Sequence, residues 1–290
     1  MNLSEGLNVI NKDIKIHGLK KTYRLLHVTD VHIVMWDERT HDDVITQGPF
    51  TGKNLLTGFA VNRVKGFTRA DGVPTYEQFR RLCDFLKDNP TFVDAVVFTG
   101  DILDFYTTLG FEFMVENLNK LPMPYMFVLG NHDYIFSNEP SEVTFERFSR
   151  LCGGDYRIQK MKLGELTLVG SYNGKYAYDS ETLNLIEEAI KGEEHVLLFQ
   201  HVPLNSPSLA EYFEKIEKKN IVIGSENCVN KNHNKDAIMK IIDKENSPVH
   251  ALICGDSHQN HSGPLTDKIT QHISPLIRDF PPVLFTISAP

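Results

Sequence analysis

An α/β fold with a largely parallel but mixed sheet system is predicted by three features of this 290-residue chain. Apolar, β-branched runs recur between turn residues, helical patterns lie between them, and one stretch reads as a hairpin. The first run, YRLLHVT (23–29), is followed by VDAVVFTG (93–100), PYMFVLG (124–130), HVLLFQ (195–200) and VHALICG (249–255). Their near-continuous apolar character is that of buried strands. Thr75 and Gln78 predict a capping box opening the helix YEQFRRLCDFLKD. SETLNLIEEAIKG predicts another helix, from a serine start to a glycine stop. Residues 153–170, GGDYRIQKMKLGELTLVG, predict a hairpin turning near Gly164, which makes the sheets mixed. Residues 36–74 are a long polar insertion rich in Thr, Gly and Asp, more loop than a compact domain usually carries without a function. Its expected role is part of a substrate-covering cap on one domain spanning residues 1–290.

Hydrophobic residues make up 41% and charged residues 23%, the balance of an ordinary globular protein. A net charge of −8 and a pI near 5.8 argue against a surface built to grip nucleic-acid phosphates, although a small basic patch fits inside an acidic total. Cys83, Cys152, Cys228 and Cys254 are scattered and form no CxxC pair, so neither a thiolate zinc site nor a disulfide framework is signalled. The N-terminus has no signal-peptide core, and no run approaches about 18 apolar residues. With Met1 as the natural start, a soluble cytoplasmic protein with no membrane partner is expected.

The chemistry gathers where the strands stop. The five runs are followed by TDVH (Asp30, His32), GDILD (Asp101, Asp104), GNHD (Asn131, His132, Asp133), QHVP (His201) and GDSH (Asp256, His258). The carboxyl ends of parallel strands face one crevice, so residues distant in sequence can converge there. Imidazole nitrogen with carboxylate and amide oxygen, and no thiolate, suits iron, manganese, zinc or nickel. So many donors exceed what one four-coordinate ion uses; two ions sharing a carboxylate account for them. Each fragment alone is ordinary turn chemistry. Five in order, each after an apolar strand, are not.

The ordered set resembles the calcineurin-like metallophosphoesterase superfamily, whose pattern is DxH, GDxxD, GNHD or GNHE, a lone His, and GHxH. That resemblance implies a four-layer α/β/β/α sandwich with two mixed β-sheets. It implies that Asp30, His32 and His258 hold one ion, Asn131 and His201 the second, and Asp101 both. His132 would be catalytic beside the scissile phosphate, with Asp104 orienting it; Asp133 would be a supporting or turn residue. GDILD lacks the tyrosine that purple acid phosphatases use at the position of Asp104, which disfavours that branch. One departure stands out: GDSH has Asp256 where the family has the first histidine of GHxH. Asp256 can bind the second ion through oxygen, and a third carboxylate tilts preference towards manganese or iron. His261, in SHQNH, is the competing ligand.

The expected activity is hydrolysis of a small-molecule or nucleotide-like phosphate ester, mono- or diester, by metal-bound hydroxide without a phosphoenzyme. The alternatives are a non-catalytic metal-binding scaffold of the same fold, which the altered GDSH supports, and a nuclease, which the acidic charge opposes. Arg63, Lys65 and Arg69, in NRVKGFTR, are candidate substrate contacts, though solvated loop charges need no such role. Tyr106, beside Phe105, is a candidate stacking surface, with packing beneath a helix as its competing role. His17, His27, His41, His195, His233, His250 and His272 match no motif and are read as structural or surface residues.

Overall fold

The computed structural model describes residues 7–40, 60–135, 137 and 141–290. Residues 41–59 of the polar insertion, with His41, lie outside them. The described residues hold eleven strands: β1 (Ile10–Lys15), β2 (Tyr23–Val28), β3 (Ala95–Thr99), β4 (Tyr125–Val128), β5 (Ile158–Leu163), β6 (Leu166–Ser171), β7 (His195–Phe199), β8 (Val249–Cys254), β9 (His261–Pro264), β10 (Thr270–Ile273) and β11 (Val283–Ser288). The helices among them are α1 (Ala60–Gly66), α2 (Thr75–Asp88), α3 (Thr108–Leu118), α4 (Ser141–Leu151), α5 (Ser180–Ile190), α6 (Pro207–Lys215) and α7 (Lys235–Ile242).

Two sheets form, in the orders β1-β11-β2-β3-β4 and β5-β6-β7-β8-β10-β9. Both are mixed. In the first, β2, β3 and β4 run parallel and β11 is antiparallel to β2. In the second, β6, β7, β8 and β10 are parallel, while β5 and β9 close the edges antiparallel. The turn of the β5–β6 hairpin contains Gly164 at φ +64°, a left-handed conformation suited to glycine.

The period-two alternation of a strand sorts the apolar residues into layers. Leu25, Val97 and Met126 face Leu168, Leu197, Phe199 and Ile253 in a core between the sheets. Their neighbours Leu26, Val96, Phe98 and Phe127 face outward onto Phe79, Leu82, Met114 and Phe148 of α2, α3 and α4. On the far side, Val196, Leu198 and Leu252 meet Ile186, Leu209, Phe213 and Ile238 of α5, α6 and α7. The result is helix, sheet, sheet, helix. Covered on both sides, the central strands lose the polar alternation of a half-exposed sheet, which is why they read as continuous apolar runs.

The predicted capping box is corrected. The side chain of Gln78 donates to the carbonyl of Val73, and Thr75 Oγ1 donates to that of His32; no side-chain cap closes α2, whose N-cap is Pro74. α5 begins at Ser180, the predicted serine start, and its capping side chain is Asp179, accepting from the Thr182 amide at 2.7 Å. No helix among the described residues is long and apolar enough to cross a membrane.

Candidate metal centre

The parallel order of β2, β3 and β4 in one sheet, and of β7 and β8 in the other, puts five strand ends on one side of the molecule. Past those ends the loops zip together. The Asp30 and His32 amides donate to the carbonyls of Gly100 and Asp101 at 3.0 and 2.8 Å, and Gly255 N donates to His201 O at 2.9 Å. Asp30, His32, Asp101, Asp256 and His258 all adopt φ between +52° and +61°. Left-handed backbone is uncommon for non-glycine residues and persists where the surroundings enforce it, characteristically at functional sites. Glycine makes the close approach possible: a Cβ on Gly255 would lie 1.9 Å from Thr29 Oγ1, and one on Gly100 2.3 Å from Gly130 N.

Three donor groups result among the described residues. Asp30, His32 and His258 form one; Asp30, Asp101 and His201 form a second; His32, Asp104 and His132 form a third. In the first, the Nε2 atoms of His32 and His258 face each other at 3.2 Å, and Asp30 Oδ1 lies 3.2 Å from His258 Nε2. Asp101 Oδ2 stands between the imidazoles, 3.3 Å from His201 Nε2 and 3.8 Å from His32 Nε2. Asn131 Oδ1 is 3.1 Å, and Asp256 Oδ1 3.6 Å, from His201 Nε2. All seven predicted ligands thus meet. His261 lies elsewhere, on β9 against Tyr212 and Ser208.

These groups fit a cationic occupant. His32 Nδ1 is tied to Asp104 Oδ1 at 3.0 Å and His201 Nδ1 to the Thr99 carbonyl at 2.6 Å, which turns both Nε2 lone pairs inward, the usual arrangement of a metal-ligating histidine. Asp30 Oδ1 and Asp256 Oδ2 are buried with no hydrogen-bond partner among the described residues. Buried carboxylate oxygens in that condition call for a positive charge. The nitrogen and oxygen donors suit ions of intermediate hardness.

The protonation equilibria reflect this crowding. Burial works against ionisation of Asp101, yet the adjacent His201, His132 and His32 hold its carboxyl well below the usual range. The reciprocal pull of Asp101 outweighs burial at His201 and raises it. Burial opposes charge on Asp104 too, but hydrogen bonds from Arg63, His132 and His32 keep it strongly acidic. At His132 burial is overridden by Asp104 and Asp101, lifting it to about 9. Asp256 goes the other way, pushed up to about 6 mainly by burial.

Several contacts escape sequence reasoning. Asp133 is fully buried and accepts from the amides of Gly130, Asp101 and Leu103 at 2.8 to 3.0 Å, stitching two motif loops together. Asp104 orients His32 at least as directly as His132, whose Nδ1 donates to the Asp104 backbone carbonyl at 2.7 Å and lies 3.4 Å from its Oδ1. Arg63 forks that same carboxylate, with Nε 2.6 Å from Oδ2. Phe67 lies stacked on His32 at 4.3 Å, with the Arg63 guanidinium over its ring. Tyr176, from the loop after β6, donates to Asp256 Oδ1 at 2.7 Å.

Tyr106 is a correction. Its side chain is 1% exposed in the core under α3, and its hydroxyl accepts from Arg147, so its ring is closed to a substrate. Lys65 is exposed and Arg69 pairs with Asp71 at 3.0 Å; among the described residues no contact joins either to the donor groups.

The fold is shared with solved structures of low sequence identity. A dimetal phosphatase from Danio rerio superimposes with a TM-score of 0.54 at 12% identity, over 88% of each chain. A purple acid phosphatase from yellow lupin (Lupinus luteus) seeds superimposes with a TM-score of 0.53 at 11% identity, over 91% of this chain but 45% of that one. No curated protein matches the chain. The sequence itself, over residues 23–260 and so across every motif at the strand ends, matches the model of the calcineurin-like phosphoesterases, and the chain belongs to that family of metal-dependent phosphoester hydrolases.

Proposed function

We propose that this chain hydrolyses a small-molecule phosphate ester, with water as nucleophile, at a two-ion centre in which Asp101 would be a ligand common to both ions. The observation that carries this reading is Asp101 Oδ2 between His32 Nε2 and His201 Nε2, each turned inward by its Nδ1 contact. Asp30, His32 and His258 would hold one ion; Asn131, His201 and Asp256 the other. Three carboxylates among these donors favour manganese or iron over zinc or nickel. When bound, the ions supply Lewis acidity, lowering the pKa of water and neutralising charge on the phosphoryl group.

The protein's own part is positional and protonic. His132 commits Nδ1 to the Asp104 carbonyl, leaving Nε2 to donate to a phosphoryl oxygen or to the leaving group. Its neighbour Asp104 favours the protonated imidazole, through the ion-pair contact at Oδ1 and the backbone carbonyl, as a proton donor requires. Asp104 holds the rings of His32 and His132 in one frame and is itself held by Arg63. Charge favours a small ester over nucleic acid, since the net charge is −8.

The test is hydrolysis of bis(p-nitrophenyl) phosphate beside p-nitrophenyl phosphate by protein stripped of metal and reloaded with manganese. Metal-dependent cleavage of either supports the reading, and the ratio of rates ranks diester against monoester. Two ions bound with neither ester cleaved would overturn it in favour of a non-catalytic scaffold.

A further inference from the structure

Resting on the two-ion reading above, we propose that Tyr176 is a positioning residue for the second ion, pinning Asp256 so that an aspartate serves where the family pattern has a histidine. An imidazole has an inflexible ring that can be tethered through its second nitrogen, as Nδ1 of His201 is tethered to Thr99 here. A carboxylate at the same point is shorter and has no ring to tether. It needs a partner from another element to fix its rotamer.

Tyr176 is placed to be that partner. Its hydroxyl lies 2.7 Å from Asp256 Oδ1, the same oxygen that stands 3.6 Å from His201 Nε2. Asp256 Oδ2 is buried without a hydrogen-bond partner among the described residues, so the tyrosine leaves it unused for a cation. Both backbones are committed to the arrangement, with φ of +57° at Tyr176 and +61° at Asp256. The Asp256 amide is anchored separately, donating to Asp30 Oδ2 at 3.1 Å, which ties the pair to the donor group of the first ion. A neutral hydroxyl can hold the carboxylate without cancelling the charge that attracts the metal, which a lysine or arginine in the same place would do.

The experiment is manganese titration of the full chain, counting bound ions and their affinities, for wild type, Tyr176→Phe, Asp256→His and the double variant. Circular dichroism confirms that each is folded. Tyr176→Phe should weaken the second ion about 10- to 100-fold and leave the first unchanged, the usual scale for losing a group that orients a ligand. In the Asp256→His background the same change should have no effect on either ion, because the carboxylate it serves is gone. Equal losses in both backgrounds, or two ions bound by Tyr176→Phe with wild-type affinity, would overturn the proposal. So would a tyrosinate-to-iron charge-transfer band in wild type loaded with ferric iron, which would make Tyr176 a ligand itself. Wild type that binds a single ion sinks the two-ion reading, a failure separable from the others because it needs no variant.

Discussion

Arg63 shows how the geometry can give a guanidinium a partner that its place in the sequence does not suggest. As a basic residue in a polar insertion it is a natural candidate for gripping phosphate, yet it forks Asp104, which in turn holds His32 and His132. A substrate-gripping arginine sets KM, whereas an arginine acting through Asp104 sets the geometry of the reacting groups. Arg63→Ala is therefore expected to lower kcat about 10- to 100-fold with little change in KM, on the scale of lost orienting contacts. His132→Ala should lower kcat further, roughly 100- to 10,000-fold, while both ions stay bound, as expected of a positioned acid. Steady-state kinetics with metal content measured on the same samples separates these outcomes; a raised KM for Arg63→Ala would return that residue to the substrate.

At the scale of elements, stability and site geometry are separable. Asp179 caps α5 on the face of the second sheet, and its loss leaves the Thr182 amide without that acceptor. Asp179→Ala should cost about 1 kcal/mol, seen as a lower denaturant midpoint at unchanged slope, with metal content and turnover unaltered. Much of this level is legible in the sequence, for a physical reason: strands covered on both faces must be apolar throughout, so β2, β3, β4, β7 and β8 announce themselves, and the motifs follow at their ends. The edge strand β1 does not, because INKDIK is half-exposed and carries Lys12 and Lys15. Nor do contacts between distant elements leave a local pattern: Tyr176 and Asp256 are 80 residues apart, Arg63 and Asp104 41. The capping box expected at Thr75 and Gln78 fails because the distant His32 carbonyl takes the Thr75 hydroxyl and the Val73 carbonyl, just upstream of the helix, takes the Gln78 amide.

For the whole molecule, the join between the two sheets includes a buried histidine. His27, on β2, is 1% exposed and faces Phe199 of one sheet and Phe285 of the other, with ring nitrogens 2.6 Å from Ser274 Oγ and 2.7 Å from Thr99 Oγ1. Burial drives its pKa down to about 3, outweighing the opposing pull of Asp30. A folded-state pKa below the unfolded value means the unfolded chain takes up the proton first. Stability is therefore lost as pH falls from the unfolded value near 6.5 towards 3. His27→Gln should flatten the slope of unfolding free energy against pH by about 1.4 kcal/mol per unit between roughly pH 6 and 4. Denaturant melts at several pH values check this, and parallel slopes would show that His27 does not carry the acid sensitivity.

The convergence of strand ends has one more consequence, for assembly in time. His32 and His258 are 226 residues apart in the chain, and Asn131 and His201 are 70 apart, so no short fragment brings either pair together. Contacts this distant in sequence form late, after the nearby pairings have closed the intervening loops. Ion uptake during refolding should then trail the recovery of helical and strand signal, which makes a bound metal ion a clock for the last step of folding.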